Sequence, residues 1–254
     1  MNSITKNFIS ASFAAIKIII ESSTTSVEDL EMMCNAPKFQ KYITNIDTTY
    51  VNIEKIRVDK LTWFCAPNAK APEKLGFIYM EVIAKDCRTG KPIPGVVFLR
   101  GNAVAIDIDV DVMTEDGLVD SSFSIFTKQI RMGSGHMETE IAAGMMDANG
   151  DILGVAVKEI NEETGLVVPN IHEMTYLGEM QPSVGGTHEQ ISLFYWKTKI
   201  SQAQFQEMKT KIYGKEDENE TIQLILVPCK EKDHFIAKSG DAKAMCARFL
   251  ENNL

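Results

Sequence analysis

The feature that most constrains the fold is a succession of strand patterns followed by a single amphipathic helix. From residue 96 onward, segments rich in β-formers follow one another, and a Thr-Glu-Asp-Gly turn separates two of them. Further along, apolar residues recur at helical spacing and the pattern stops at Gly165, a residue type that often ends helices. We predict strands at 96–99, 103–113 and 121–131, then a helix ending at Gly165.

The N-terminal part of the chain predicts a smaller, strand-rich domain. Residues 13–20 form an apolar run typical of a strand, Ser26 is placed to cap a helix, and Pro37 to open a second one. Strands are then predicted at 51–64 and 75–84, before a turn that ends at Gly95. We therefore predict an N-terminal domain over 1–95 and a second domain over 96–254.

Charge and composition exclude several classes of protein. The chain has 254 residues, 44% of them apolar and 24% charged, which argues against disorder, collagen and coiled coil. A formal net charge of −9 argues against a nucleic-acid partner or an anionic membrane surface. A phosphate substrate stays compatible with this charge if a metal supplies the positive charge.

Cysteine usage and hydropathy point to a reducing, aqueous compartment. The five cysteines are scattered and never form a CxxC pair, so we expect neither a disulfide framework nor a zinc site. No apolar run reaches the ~18 residues of a membrane span, and residues 13–20 lack the flanks of a signal peptide. We predict a cytoplasmic protein without a membrane partner.

Three glutamates lie on the predicted helix. Its inward stripe consists of Leu153, Val157, Ile160 and Thr164. On the other faces Glu163 stacks over Glu159, with Glu162 beside it, and like charges at this spacing disfavour an isolated helix by a few tenths of a kcal/mol. A divalent cation would offset the repulsion, and carboxylate oxygens suit Mg²⁺ or Mn²⁺. The alternative is a solvated acidic face.

The residues around these glutamates resemble a known motif. The pattern Gly144-x5-Gly150-x7-Lys158-Glu159-Ile160-x-Glu162-Glu163-x-Gly165-Leu166 is similar to the Nudix box, G-x5-E-x7-R-E-U-x-E-E-x-G-U with U aliphatic. Two positions depart from it: Gly150 stands where the box has glutamate, and Lys158 where it has arginine, which keeps the charge but loses the planar fork. The departures bear on the number of bound metals and on what supports Glu159.

A calcium loop is a second interpretation of the Asp147-Ala-Asn-Gly-Asp151 stretch. It fails on register, because the sixth position would be Ile152 where glycine is needed. The twelfth would be Lys158 where glutamate is needed. We therefore prefer the Nudix resemblance.

Further stretches resemble one branch of the Nudix hydrolases. Gln129-Ile-Arg131 ahead of Glu140-Ile-Ala-Ala-Gly144 is similar to the QIR…E-x-x-AG layout of ADP-ribose and ADP-sugar diphosphatases. Gly185-Gly-Thr-His-Glu189 resembles the GGT-x-E loop of the same group. Residues 95–105 and the segment from Gly240 look most like plant-type ADP-sugar diphosphatases. The likeness covers about 95–254 and is loose before that.

The resemblance implies a role for each matching residue. Ala143 would offer its backbone carbonyl to a metal, and Glu159 and Glu163 would be the main carboxylate ligands. Glu162 would be a further ligand or an organiser of water, and Glu189 would activate the attacking water. The remaining implied contacts are to the substrate: Arg131 to the diphosphate or ribose, Gln129 within the same motif, and Glu140 as a partner that supports them.

The resemblance also implies fold, activity and assembly. We expect an α/β protein with a Nudix-type α/β/α sandwich around a mixed sheet, plus the smaller strand-rich domain. The expected activity is hydrolysis of a nucleoside diphosphate sugar, ADP-ribose or ADP-glucose first, with Mg²⁺ or Mn²⁺ as cofactor and a homodimer as the assembly. The alternatives are a degenerate module that binds nucleotide sugars without cleaving them, a UDP-sugar diphosphatase, and an interaction protein whose acidic helix is only a surface.

Overall fold

The chain divides into two compact units in the computed structural model, which describes residues 1–9, 15–146, 151–214 and 220–253. One unit comprises Met1–Gly101 and Gln181–Glu189, and the other Asn102–Met180 and Gln190–Leu254. Among the described residues, no helix is both long and apolar enough to cross a bilayer.

The first unit is a sheet packed against two helices. Its strands pair in the order β1-β2-β3-β4-β5, with β6 also on β4. The β2–β3 pair is parallel and the other pairs are antiparallel. The elements are β1 (Asn2–Ile9), β2 (Ala15–Ser22), α1 (Val27–Asn35), α2 (Pro37–Thr44), β3 (Val51–Trp63), β4 (Leu75–Asp86), β5 (Pro92–Ile93) and β6 (Val96–Leu99).

Local sequence explains most of these elements. The Ser26 side chain accepts a hydrogen bond from the Asp29 N–H, which confirms the predicted cap of α1, and Pro37 opens α2 as expected. One face of the sheet buries a core with the two helices, in which Ile20, Ile56 and Phe39 are fully buried. The predicted strands β2, β3 and β4 are confirmed, whereas β1 was not predicted; residues 13 and 14 of the predicted first strand lie outside the described residues.

The second unit is a larger mixed sheet with helices on both faces. Its strand order is β11-β12-β7-β8-β14-β13, with β10 on β7 and β9 on β8. The elements are β7 (Ala103–Met113), β8 (Val119–Arg131), β9 (His136–Glu140), β10 (Ala142–Met145), α3 (Ile152–Thr164), β11 (Thr175–Met180), β12 (Ile191–Ser201), α4 (Gln202–Met208), β13 (Ile212–Tyr213), β14 (Ile222–Pro228), α5 (Lys232–Ser239) and α6 (Ala242–Glu251).

Strand β7 runs through the centre of this unit and is covered on both sides. Residues of β7 from Val104 to Val112, taken alternately, form one core with α3 and α4. Ala103 and Ala105, which point to the opposite face, form another core with α5 and α6. Because β12 is parallel to β7 while β8 is antiparallel, the sheet is mixed. The predicted α/β/α sandwich is confirmed.

The pairing of β7 changes partner part of the way along its length. Strand β8 pairs with β7 from Ile108 to Met113, and then diverges to pair with β9. The short strand β10 takes the vacated edge, with Ala143 opposite Ala105 and Gly144 opposite Val104. This arrangement places β10 directly against helix α3.

The predicted inward stripe of α3 is confirmed. Ile160 and Thr164 are buried, and Leu153 and Val157 are partly buried and pack against the same core, which Val155 and Ala156 join. In α6, small residues pack on the sheet and Phe249 is 67% exposed. Ile212 is an exposed residue of β13. Helices α3 and α6 lie so close to the sheet that alanines, rather than larger side chains, fill the contact.

The division between the units also differs from the predicted boundary at residue 95. Strand β6 pairs with β4, so that the first unit continues to Gly101. The segment Gln181–Glu189 belongs to the first unit as well, although the sequence placed it in the second domain. It does so because its backbone is bonded to β6 through Phe98 and Gly186.

Candidate metal and catalytic site

Helix α3 presents its glutamates at fixed positions because both of its ends are capped. The Asp151 side chain accepts a hydrogen bond from the Gly154 N–H at 2.9 Å. At the other end Gly165 adopts φ 72° and its N–H donates to the Asn161 carbonyl, as predicted for a C-terminal glycine. Glu159 and Glu163 lie one turn apart on this helix, on the side that faces β10.

Glu163 is buried although it carries a carboxyl group. Only 4% of the residue is exposed, and its Oε2 accepts a hydrogen bond from the Ala143 N–H at 3.1 Å. Burial, with the negative charge of Glu159, raises the pKa of Glu163 to about 8, against the opposing effects of the Ala143 N–H and Arg131. Burial and the neighbouring carboxylate therefore both disfavour the ionised form of Glu163.

The Glu159 side chain approaches Gly144 of β10, the residue that follows Ala143. A Cβ added to Gly144 would overlap the carboxylate of Glu159, so a side chain at this position would displace that carboxylate. The carboxylates of Glu159 and Glu163 thus converge on two consecutive residues of β10, Ala143 and Gly144.

The donors fit a hard divalent cation better than a soft one. The two carboxylates offer oxygen atoms, the ligand type that Mg²⁺ and Mn²⁺ prefer. Within the described part of the chain, no three His, Cys, Asp or Glu side chains are grouped closely enough to hold a metal by themselves. A third oxygen would have to come from the main chain, water or substrate, and the metal-binding role of the Ala143 carbonyl stays a prediction.

Glu162 and Lys158 occupy the neighbouring face of α3. Lys158 Nζ lies 3.9 Å from Glu162 Oε1, and 59% of the lysine side chain is exposed. A solvent-exposed pair of this length contributes little to stability. Lys158, at the position of the arginine in the box, therefore contacts Glu162. Gly150, the other departure, and residues 147–149 of the calcium-loop alternative lie outside the described residues.

Arg131 and Glu140 form a chain of ion pairs on β8 and β9. Arg131 Nε donates to Glu140 Oε2 at 2.6 Å, and Lys243 Nζ of α6 donates to Glu140 Oε1 at 2.7 Å. Burial tends to raise the pKa of Glu140, but Lys243 and Arg131 outweigh it and lower that pKa. Gln129, two residues before Arg131 on the same strand, is buried. Glu140 is thus placed to orient Arg131, whose role toward the substrate stays a prediction.

Glu189 lies in the first unit, at the end of the segment Gln181–Glu189. It is buried, its N–H donates to Thr187 Oγ1 at 3.2 Å, and its Oε1 lies 3.5 Å from Arg100 Nε. Glu189 and the glutamates of α3 therefore belong to different units, and the catalytic role of Glu189 stays a prediction.

Sequence reasoning missed Arg100, Lys243 and a buried charged cluster beneath α5. In this cluster Lys232, 1% exposed, lies between Asp107 and Asp109 of β7. Only the alternation Ile-Asp-Ile-Asp-Val-Asp-Val in β7 could have signalled it, since it places three carboxylates on one face of a central strand. Nothing in the local sequence marks Arg100 or Lys243.

The second unit thus carries two converging carboxylates between a capped helix and a short strand of a mixed sheet. No family model matches the chain. The chain is similar to Nudix hydrolase 14, chloroplastic, of Arabidopsis thaliana. The two are 29% identical over 182 residues, which are 68% of this chain and 56% of the relative. This relative confirms the predicted resemblance to Nudix hydrolases.

The chain spans little more than half the length of that relative. A structure search returns the crystal structure of an ADP compounds hydrolase. The match has a TM-score of 0.49 and 14% identity, and covers 79% of this chain and 94% of that one. A likeness at this level supports no statement about the activity of this chain.

Proposed function

We propose that the protein hydrolyses the diphosphate bond of a nucleoside diphosphate sugar, with ADP-ribose or ADP-glucose as the first candidates and Mg²⁺ as the cofactor. The observation that carries the proposal is the convergence of Glu159 and Glu163 on β10, where one carboxylate is buried and the other occupies the space that a Cβ of residue 144 would fill. A solvated acidic surface would need neither feature.

The residues of the second unit are suited to hold the cation. Glu159 and Glu163 would bind it with their carboxylates and Ala143 with its carbonyl, while Glu162 would orient a water molecule. When bound, Mg²⁺ neutralises charge on the diphosphate, orients its bonds and lowers the pKa of water. Arg131, aligned by Glu140, would contact the diphosphate.

The proposed reaction is a displacement at phosphorus. A water oxygen attacks one phosphorus of the diphosphate, and the bond between that phosphorus and the bridging oxygen breaks. The bridging oxygen leaves with the other phosphate, so that the products are AMP and a sugar phosphate. Glu189 takes the proton of the water as general base.

A phosphatase-coupled assay tests this function. We expect phosphate release from ADP-ribose or ADP-glucose with Mg²⁺ and none with EDTA, and slower release from UDP-glucose. Glu173→Gln, which alters an exposed glutamate on a 3₁₀ turn, is the matched control for changes in α3 and should keep the wild-type rate. Nucleotide-sugar binding without turnover would support the degenerate-module alternative instead.

The proposal extends to the assembly of the protein. We propose a homodimer, which light scattering on the purified protein tests directly. A cytoplasmic location stays a prediction; the Arabidopsis relative carries the word chloroplastic in its name, which describes that protein.

A further inference from the structure

The loop that carries Glu189 is fixed to the edge of the first unit's sheet. The Phe98 N–H of β6 donates to the Gly186 carbonyl at 2.8 Å, and Phe98 also forms a parallel bridge with Thr187. Within the loop, the N–H groups of Gly186 and Thr187 both donate to the Ser183 carbonyl. The loop therefore has a defined conformation and is attached to β6.

The carboxylate of Glu189 meets a charged residue immediately beyond β6. Arg100 follows the last residue of that strand, and its Nε lies 3.5 Å from Glu189 Oε1. The glutamate side chain is 7% exposed and the arginine side chain 37%. At this distance the contact is an ion pair rather than a short hydrogen bond.

Arg100 is itself held in place by helix α2. Lys38 Nζ donates to the Arg100 carbonyl at 3.2 Å, and it also donates to the Gly76 carbonyl of β4. The backbone of Arg100 is thus tied to a helix and a strand of the same unit. A guanidinium on a fixed backbone loses less conformational entropy when it holds a carboxylate than one on a mobile loop.

We propose that Arg100 is a positioning residue that keeps Glu189 ionised and correctly oriented for accepting a proton. The inference rests on the proposed function, in which Glu189 is the general base. A permanent positive charge beside a carboxylate favours its ionised form, and a base must be ionised to act. In this proposal Arg100, a residue of the first unit, controls the ionisation of Glu189, which belongs to the same unit.

Lys38 lies close to Arg100, and Lys41 and Lys38 of α2 act electrostatically on His188, the residue next to Glu189. Burial, followed by Lys41 and Lys38, lowers the pKa of His188 to about 4, so the imidazole is neutral near pH 7. Burial, followed by Arg100, lowers the pKa of Lys38 to about 8. Arg100 is the cation of this neighbourhood whose charged group directly meets the Glu189 carboxylate.

The first test is the pH dependence of turnover in Arg100→Met. We expect kcat to fall by about tenfold at pH 6 and by less at pH 8, because loss of the guanidinium raises the pKa of the base. KM should stay within about twofold, since the substrate does not contact Arg100 in this proposal. Arg100→Lys should recover part of the rate at pH 6. Arg88→Met, which removes an exposed arginine paired with Asp86 in the same unit, is the control.

The decisive test is a double-mutant cycle with Glu189→Gln. If Arg100 acts through Glu189, Arg100→Met should have no further effect on kcat in the Glu189→Gln protein. The inference would be overturned if Arg100→Met lowered kcat by the same factor in the wild-type and the Glu189→Gln protein. It would also be overturned if the acid limb of the pH profile of kcat did not shift in either Arg100 variant. If circular dichroism shows that Arg100→Met does not fold, the same double-mutant cycle is measured with Arg100→Lys. A wild-type protein without Mg²⁺-dependent turnover would overturn both proposals, whereas normal wild-type turnover with an additive cycle would overturn only this one.

Discussion

Replacing Lys232 by methionine should destabilise the second unit by about 3–5 kcal/mol, the usual effect of removing one partner from a buried ion pair. Lys232 Nζ lies 2.9 Å from Asp109 Oδ1 and 3.0 Å from Asp107 Oδ2, the latter without the alignment of a hydrogen bond. Asp107 is 0% exposed, so methionine would leave its charge buried beside that of Asp109.

The direction of the pH effect follows from the state of Asp107. Burial, only partly offset by Lys232, raises the pKa of Asp107 to about 6 from 3.8. Between these values the folded protein binds more protons than the unfolded chain, so the contribution of Asp107 to stability rises as pH falls. Without the lysine this pKa should rise further, and the destabilisation caused by Lys232→Met should shrink between pH 7 and pH 5.

Urea unfolding measures both effects. Trp196 is buried in the second unit, so its fluorescence in a Trp63→Phe background reports on that unit alone. If the free energy of unfolding falls by about 2 kcal/mol per M urea, the urea midpoint of Lys232→Met should lie about 2 M below that of the wild type at pH 7. Lys230→Met, at an exposed neighbouring lysine, should shift it by less than about 0.3 M.

A second substitution distinguishes buried charge from lost packing. Asp107→Asn in the Lys232→Met protein removes the uncompensated carboxylate and should restore about half of the lost stability or more. A midpoint shift in Lys232→Met below about 0.5 M, or one that does not change with pH, would refute this reasoning.

Three further predictions concern the metal site and its support. Glu163→Gln should lower kcat by roughly 10²–10⁴-fold and leave the melting temperature nearly unchanged, because a neutral amide replaces a buried carboxyl group whose pKa of about 8 already favours its protonated form at pH 7; steady-state kinetics and a thermal melt measure both. Gly144→Ala should displace the Glu159 carboxylate and weaken Mn²⁺ binding about tenfold or more, whereas Gly133→Ala, where a Cβ meets nothing, should not; calorimetry compares them. Asp241→Ala should lower stability to urea by about 2 kcal/mol, because Asp241 caps α6 and also accepts the Ile141 N–H at 2.9 Å; a loss below about 0.5 kcal/mol would exclude that role.

Local signals were sufficient for much of the fold. Strand patterns, the cap at Ser26 and the glycine that ends α3 are short-range features, and each is present in the structure. The depth of Glu163 was not predictable from its place on the helix. It depends on where the pairing of β8 with β7 ends and the pairing of β10 with β7 begins, which is a property of the whole sheet.

The interactions that sequence reasoning missed join residues far apart in the chain. Lys232 and Asp109 are 123 residues apart, and Lys243 and Glu140 are 103 apart. The attachment of the Glu189 loop to β6 is likewise long-range, so a domain boundary drawn from strand patterns placed the loop in the wrong part of the chain. Register and pairing decide such contacts, and a single sequence carries little information about either.

The central proposition is that the glutamates of α3, with the main chain of β10, bind a divalent cation. Electron paramagnetic resonance of Mn²⁺ titrated into the protein with AMP present counts bound ions directly. We expect at least one ion on the wild-type protein, and affinity at least about tenfold weaker in a Glu159→Gln, Glu163→Gln double variant that still folds. Equal Mn²⁺ binding by the two proteins, or none by the wild type, would contradict the account.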